Sequence, residues 1–85
     1  MIFTTYIIYS SVLDRYYIGY TSDLESRIVR HNQKGKGFTG KVNDWCLVYQ
    51  ESFTCKTEAY RREQEIKSWK SRKKIVELIS LKNYN

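Results

Sequence analysis

The sequence predicts a small α+β domain, in which helices pack on a three-stranded antiparallel sheet in the order ββαβαα. Two segments rich in β-branched and aromatic residues flank a short turn near the start, and a third lies mid-chain. The C-terminal part instead shows helical periodicity. With 85 residues we expect a single domain over residues 1–85, whose thin core leaves no room for a large cofactor cavity.

The three strands are predicted from segments of high β-propensity. Residues Phe3–Ser10 form the first strand, residues Ser11–Asp14 a turn, and residues Arg15–Thr21 its antiparallel partner. Residues Trp45–Phe53 form the third strand. Between the second and third strands, we expect one helix and a loop rich in glycine and lysine.

The three helices are predicted from capping signals and apolar spacing. Ser22 is the expected N-cap of the first helix, with Glu25 completing a capping box, and this helix ends near Asn32. A second helix is expected over residues 57–69 and a third over residues 72–81. Both follow the third strand, which places most of the helical structure late in the chain.

The positive charge is concentrated in the second half of the chain. Fifteen Lys and Arg residues against nine Asp and Glu residues give a net charge of +6. Residues 1–33 are balanced, whereas residues 67–74 carry five positive charges and no acid, beside the expected exposed aromatic Trp69. Such a surface suits a polyphosphate backbone. A merely solubilising surface is the alternative, and charge alone leaves the two about even.

The sequence lacks the patterns of a membrane helix, an export signal and a cysteine-based redox or zinc site. No apolar run reaches the ~20 residues of a membrane helix, and the start lacks an export signal, so we expect a cytoplasmic protein. The spacing of Cys46 and Cys55 fits neither a redox pair nor a zinc site. We expect both to be free thiols, buried or half-buried, in a reducing compartment.

A carboxylate lies on the apolar stripe of the second helix. Ala59, Glu63 and Ile66 are spaced i, i+4 and i+7, so Glu63 should face the sheet. A buried carboxylate is costly unless it is paired or binds a cation. One interpretation is an ion pair with Arg62 or with an arginine of another element; the other is a ligand for Mg²⁺.

The first helix and the second strand carry further candidates for chemistry. Arg27 and His31 are i, i+4 neighbours that offer a phosphate fork and a group that exchanges protons near neutrality. A surface pair of Asp23 with Arg27 and a structural histidine are the alternatives. In Tyr17-Ile18-Gly19, the bare glycine backbone shares the strand face of the tyrosine, so another group can approach it closely.

These motifs resemble the GIY-YIG nuclease family, and especially its small single-domain bacterial members and the N-terminal domain of excision nucleases. Tyr17-Ile18-Gly19 is the second half of the family name, and Tyr6 lies where the tyrosine of the first motif belongs. Arg27 and His31 occur at the family's spacing on the first helix. Residues 59–67 match the family pattern A-x-x-R-E-x-x-I-K, and the similarity extends over residues 3–80.

The resemblance implies a DNA endonuclease, selective for DNA structure, that acts in repair or recombination with one Mg²⁺ or Mn²⁺ ion. It implies Glu63 as the metal ligand and Arg27 as the phosphate contact. It further implies Tyr6 as general base, Tyr17 as an orienting group and His31 as a proton relay. The residues expected to hold the DNA backbone are Lys34, Lys36, Lys41, Lys67, Trp69, Lys70, Arg72, Lys73 and Lys74.

Two departures from the family pattern keep other functions open. The first motif reads Thr4-Thr5-Tyr6, so only its tyrosine is retained. Larger family members also carry an asparagine 12–15 residues after the glutamate, and residues 75–78 of this chain contain none. One alternative is therefore a catalytically weak or silent nucleic-acid-binding module. Another is a homodimer, or a subunit that acts within a larger complex.

Overall fold

The computed structural model describes residues 1–33, 35 and 37–83. Its elements, in chain order, are β1 (Phe3–Ser10), β2 (Arg15–Thr21), α1 (Leu24–His31), a short 3-10 helix (Thr39–Lys41), β3 (Cys46–Phe53), α2 (Lys56–Ser68) and α3 (Arg72–Asn83). The predicted α+β class and the order ββαβαα are confirmed. No helix among the described residues has the length and apolar character needed to cross a lipid bilayer.

The first helix begins one residue later than expected. Asp23, not Ser22, is the N-cap, because its carboxylate accepts a hydrogen bond from the Ser26 backbone N–H at 3.2 Å. The Thr21 hydroxyl accepts a hydrogen bond from the Asp23 backbone N–H at 3.1 Å, which holds this connection in place. The predicted capping box of Ser22 and Glu25 is therefore wrong.

The sheet has the order β2-β1-β3, with both pairs antiparallel. The central strand β1 is buried on both faces, since successive side chains of a strand point to opposite sides. On one face, Ile7 packs with α2 and α3 in a cluster that includes Ile18, Tyr49 and Ile66. On the other face, Tyr6 and Ile8 pack with Trp45 against Leu24 and Ile28 of α1. The two sets of helices therefore cover opposite faces of the sheet.

Three side chains differ in exposure from the expectation. Cys46 and Cys55 are free thiols, but both are exposed, because Cys46 begins the edge strand β3 and Cys55 precedes α2. Trp69 is half-buried and packs against the cluster around Ile7. The Arg62 guanidinium lies over its ring, 5.7 Å from the centroid. The aromatic residue expected to be exposed beside the basic run is therefore half-buried against the core.

Asp44 connects the β1–β2 turn to the segment before β3. Its carboxylate accepts hydrogen bonds from the Ser10 hydroxyl at 2.6 Å, the Ser11 hydroxyl at 3.1 Å and the Val12 backbone N–H at 2.9 Å. These bonds, with that of Ser10 the strongest, favour the ionised form and lower the pKa of the Asp44 carboxyl. Because the pKa is lower in the folded protein, the ionised carboxylate stabilises the fold at a pH above the ordinary aspartate pKa. This stabilisation is lost as the pH falls below that pKa.

We expect Asp44→Ala to lower the melting temperature by several degrees at pH 7, because three donors lose their acceptor. The difference from wild type should narrow as the pH falls below the ordinary aspartate value of 3.8. Thermal melts between about pH 2.5 and pH 7 measure this. Asp44→Asn keeps the shape without titrating and serves as the control. A wild-type advantage that is constant over this pH range would contradict the assignment.

Candidate active site

A cavity of about 360 Å³ collects residues from β1, β2, α1 and α2. Four of the residues singled out from the sequence line it: Tyr6, Tyr17, Arg27 and Glu63. Gly19, Lys56, Phe3, Tyr20, Thr21 and Ser22 complete the wall. Residues that are up to 60 positions apart in the chain thus converge on one polar cavity, which is the candidate active site.

Gly19 creates the space through which Tyr6 reaches this cavity. The two residues are direct partners in the β1–β2 ladder. A Cβ atom at position 19 would lie 2.6 Å from the Tyr6 hydroxyl oxygen and 2.8 Å from the ring carbon that carries it. Any larger residue would displace the phenol, so this glycine is required for a close approach rather than for backbone flexibility.

A chain of hydrogen bonds runs inward from Tyr6. Its hydroxyl lies 2.7 Å from Nε2 of His31, and Nδ1 of His31 lies 3.0 Å from the Thr39 hydroxyl. His31 is buried at the end of α1, and the Tyr17 ring packs against it with centroids 4.9 Å apart. Three residues singled out from the sequence, Tyr6, Tyr17 and His31, thus form one contiguous group.

Thr39 is held in place by residues that sequence reasoning did not single out. Its carbonyl accepts a hydrogen bond from the Trp45 indole N–H at 3.0 Å. The Asn32 side chain in turn binds both the backbone N–H and the carbonyl of Trp45, at 2.7 and 3.1 Å. Asn32 directly follows His31 in the sequence, but its spacing does not predict the contact with Trp45. Contacts between residues that are distant in the chain leave no periodic pattern.

The environment of the cavity moves the pKa values of Tyr6 and His31 in opposite directions. Burial, with a smaller contribution from Tyr17, raises the pKa of Tyr6 to about 12, although the positive charge of Arg27 opposes this. Burial also lowers the pKa of His31, and the charges of Arg27 and Arg30 lower it further. Both shifts favour the neutral forms at neutral pH. A neutral His31 can accept a proton from Tyr6 at Nε2 while its Nδ1–H donates to Thr39.

Glu63 is buried on the helix stripe that the sequence predicted, together with Ala59 and Ile66. Its Oε1 atom accepts a hydrogen bond from the side-chain amide of Gln64 at 2.7 Å and lies 3.4 Å from the Lys67 ammonium. Both contacts involve the same oxygen, and Oε2 takes part in neither.

The suggested ion pair of Glu63 with Arg62 is wrong. Arg62 instead binds Glu51 at 3.0 Å and Glu65 at 2.9 Å. The Arg62 guanidinium lies over the Trp69 ring, whereas Glu63 lines the cavity.

The altered first motif fixes the position of α2. The Thr5 hydroxyl, which is fully buried, donates a hydrogen bond of 2.7 Å to the carbonyl of Ala59. Ala59 lies one helical turn before Glu63. The threonine at this position therefore helps to hold the carboxylate at the cavity.

The described part of the cavity wall offers a hard cation one carboxylate and no cage of protein ligands. Among the residues that the structure describes, no group of three or more His, Cys, Asp and Glu side chains could hold an ion. Glu63 is the one carboxylate of the cavity wall. A single carboxylate together with water and substrate phosphate is a usual environment for Mg²⁺.

The residues expected to bind a nucleic-acid backbone divide into four groups. Lys67 contacts two residues of the cavity wall, since its ammonium lies 3.4 Å from the Glu63 carboxylate and 6.0 Å from the centre of the Tyr17 ring. Exposed on the surface are Lys41, Lys70, Lys73 and Lys74. Trp69 and Arg72 have structural contacts, since the Arg72 guanidinium lies 2.6 Å from the Asp14 carboxylate. Lys34 and Lys36 lie outside the described residues.

Comparison with known proteins identifies the family. Residues 2–75 match the GIY-YIG catalytic domain. The UPF0213 protein of Staphylococcus saprophyticus is 48% identical over 65 residues, which cover 75% of this chain and 78% of that protein. The UPF0213 protein of Staphylococcus haemolyticus is 47% identical over 60 residues, covering 69% and 73%.

A solved structure shows the same fold. The solution NMR structure of a UPF0213 protein from Bacillus halodurans matches with a TM-score of 0.61 and 34% sequence identity. The match covers 96% of this chain and 86% of that one. With the cavity described above, these similarities show that the chain belongs to the GIY-YIG family, whose catalytic domain is of the nuclease type, and within it to the small UPF0213 proteins.

Proposed function

We propose that the protein hydrolyses phosphodiester bonds of DNA with the help of one divalent cation, Mg²⁺ or Mn²⁺. The observation that carries this proposal is the convergence of Tyr6, Arg27 and Glu63 on one cavity, with His31 bonded directly behind Tyr6. A binding module has no need for a buried carboxylate facing a phosphate, because the two negative charges repel each other. A cation between them removes this conflict.

Glu63 would hold the cation, which when bound supplies positive charge to the leaving oxygen of the phosphate. The carboxylate is preorganised for this by Gln64 and Lys67, which contact one of its two oxygens. Arg27 of α1 and Lys56 of α2, which both line the cavity, would donate hydrogen bonds to non-bridging phosphate oxygens. Their charges stabilise the negative charge that develops on those oxygens during attack.

The proton of the attacking water would leave through Tyr6 and His31. As the water oxygen bonds to phosphorus, its proton passes to the Tyr6 oxygen while the Tyr6 proton passes to Nε2 of His31. The bond from phosphorus to the leaving oxygen breaks, and that oxygen takes a proton from solvent. With a pKa of about 12 for Tyr6, a preformed phenolate is unfavourable at neutral pH, which supports the relay to neutral His31.

The surface lysines would bind the DNA backbone without reading its sequence. Lys67 contacts Glu63 of the cavity wall, and Lys70, Lys73 and Lys74 follow it in the chain. Contacts of this kind fix the position of the duplex, whereas sequence is read at the base edges. Repair or recombination, where DNA is cut according to its structure, is consistent with this mode of binding.

Glu63→Gln should reduce metal-dependent cleavage by at least about 100-fold, because the amide keeps the shape but loses the charge that holds the cation. Binding of DNA without metal should persist. Cleavage of labelled duplex, single-stranded, flap and junction DNA in Mg²⁺, Mn²⁺ or EDTA measures the effect. Glu58→Gln, an exposed position of the same helix, is the matched control. Equal cleavage by both variants would refute the metal assignment, and DNA binding without any cleavage by wild type would favour the silent binding module.

The rate of cleavage should fall at acidic pH and stay level above neutrality. Protonation of His31 stops the relay, and its lowered pKa places this loss below its ordinary value of 6.5. Tyr6 keeps its proton over the whole range because its pKa is about 12. Single-turnover rates between about pH 5 and pH 10 test this, and His31→Gln should be slow without an acidic limb. A rate that rises tenfold per pH unit up to pH 10 would instead indicate a phenolate base.

Replacement of Lys70, Lys73 and Lys74 by Gln should reduce the salt dependence of DNA binding. Each lost phosphate contact lowers the slope of log K against log salt by about 0.9, so the triple variant loses up to about 3 units. The titrations use the Glu63→Gln protein, so that no DNA is cut. An unchanged slope would remove these lysines from the interface.

A further inference from the structure

A second cavity, of about 260 Å³, adjoins the candidate active site. It is lined by Tyr20, Lys56, Thr57 and Tyr60, and two of these residues, Tyr20 and Lys56, also line the first cavity. The two cavities therefore share part of their walls, and a nucleotide whose phosphate lies in the first cavity has the second one beside it.

The second cavity offers the surface of an aromatic ring. The rings of Tyr20 and Tyr60 meet edge to face, with centroids 5.7 Å apart and planes at 73°. Tyr60 is 47% exposed, so part of this residue is accessible to a third flat group. Aromatic side chains of this kind hold the bases of single-stranded nucleic acids by stacking, whatever the base.

Lys56 adds a positive charge at the boundary between the two cavities. It is exposed, and it takes part in none of the ion pairs formed among the described residues. A single exposed tyrosine is common on protein surfaces and needs no explanation. A free ammonium and an open aromatic ring in one small cavity are together complementary to a phosphate and a flat base, which are the two ends of a nucleotide.

We propose that the second cavity binds an unpaired DNA base next to the scissile phosphate, with the base stacked on Tyr60 and its phosphate on Lys56. This inference rests on the proposed function and names its substrate class. A base inside a duplex is already stacked on both faces and paired at its edge, so it cannot enter without being extruded. The preferred substrates are therefore single strands, flaps or branch points rather than continuous duplex.

The test is a titration of single-stranded DNA that contains one 2-aminopurine, whose fluorescence falls when it stacks on an aromatic ring. The Glu63→Gln protein in EDTA is used, so that binding is measured without cleavage. Tyr60→Phe keeps the ring and should quench the fluorescence as the unsubstituted protein does. Tyr60→Leu keeps apolar bulk without a ring, so it should lose the quenching and raise Kd by about fivefold or more. Lys56→Gln should lower the salt slope by about 0.7.

The outcomes separate this inference from the proposed function. Equal quenching by the Phe and Leu variants, with an unchanged salt slope for Lys56→Gln, would overturn the second cavity as a base site. A difference between the Phe and Leu variants supports it, even when wild-type protein cleaves no DNA, which would overturn the nuclease proposal alone. Wild-type cleavage of continuous duplex as fast as of a flap would overturn the substrate class. Melting curves of each variant establish that it is folded.

Discussion

The close approach of the Tyr6 phenol to the bare backbone of Gly19 determines how the rest of the site is assembled. The two residues face each other in the β1–β2 ladder, and a Cβ atom at position 19 would lie 2.6 Å from the phenol oxygen. With that space open, the hydroxyl lies both on the cavity wall and within 2.7 Å of His31. A side chain at position 19 would displace the phenol and so separate the hydrogen-bonded chain of Tyr6, His31 and Thr39 from the cavity.

This close approach connects two layers that the sheet otherwise keeps apart. Arg27 and His31 come from α1 on one face, whereas Glu63 and Lys56 come from α2 on the other face. Tyr6 belongs to the central strand, whose neighbouring residues pack in both directions. The Thr5 hydroxyl then ties this strand to α2 through the Ala59 carbonyl. One strand therefore sets the positions of groups from both layers.

The charges of the protein serve two distinct purposes. Arg62 and Arg72 are held by carboxylates and lie over the aromatic rings of Trp69 and Tyr16, so they stabilise the packing of α2 and α3. Lys56 and the exposed lysines of the 67–74 run keep their charge accessible. A basic composition thus overstates the charge available to a polyphosphate, because part of it is neutralised within the fold.

The amino-acid sequence was enough to predict the fold class and the element order, because these depend on local propensity. Helical spacing also placed Arg27 and His31 one turn apart and Glu63 on an apolar stripe. The resemblance to the GIY-YIG family added Tyr6 and the expected roles of Tyr17, Arg27 and Glu63, and all four of these residues line one cavity. Other features were set by tertiary contacts alone, namely the N-cap at Asp23, the partners of Arg62 and the half-burial of Trp69. So were Lys56 and the cavity beside Tyr60. These features depend on which of several equivalent side chains come close in space, and local spacing carries no information about contacts between distant elements.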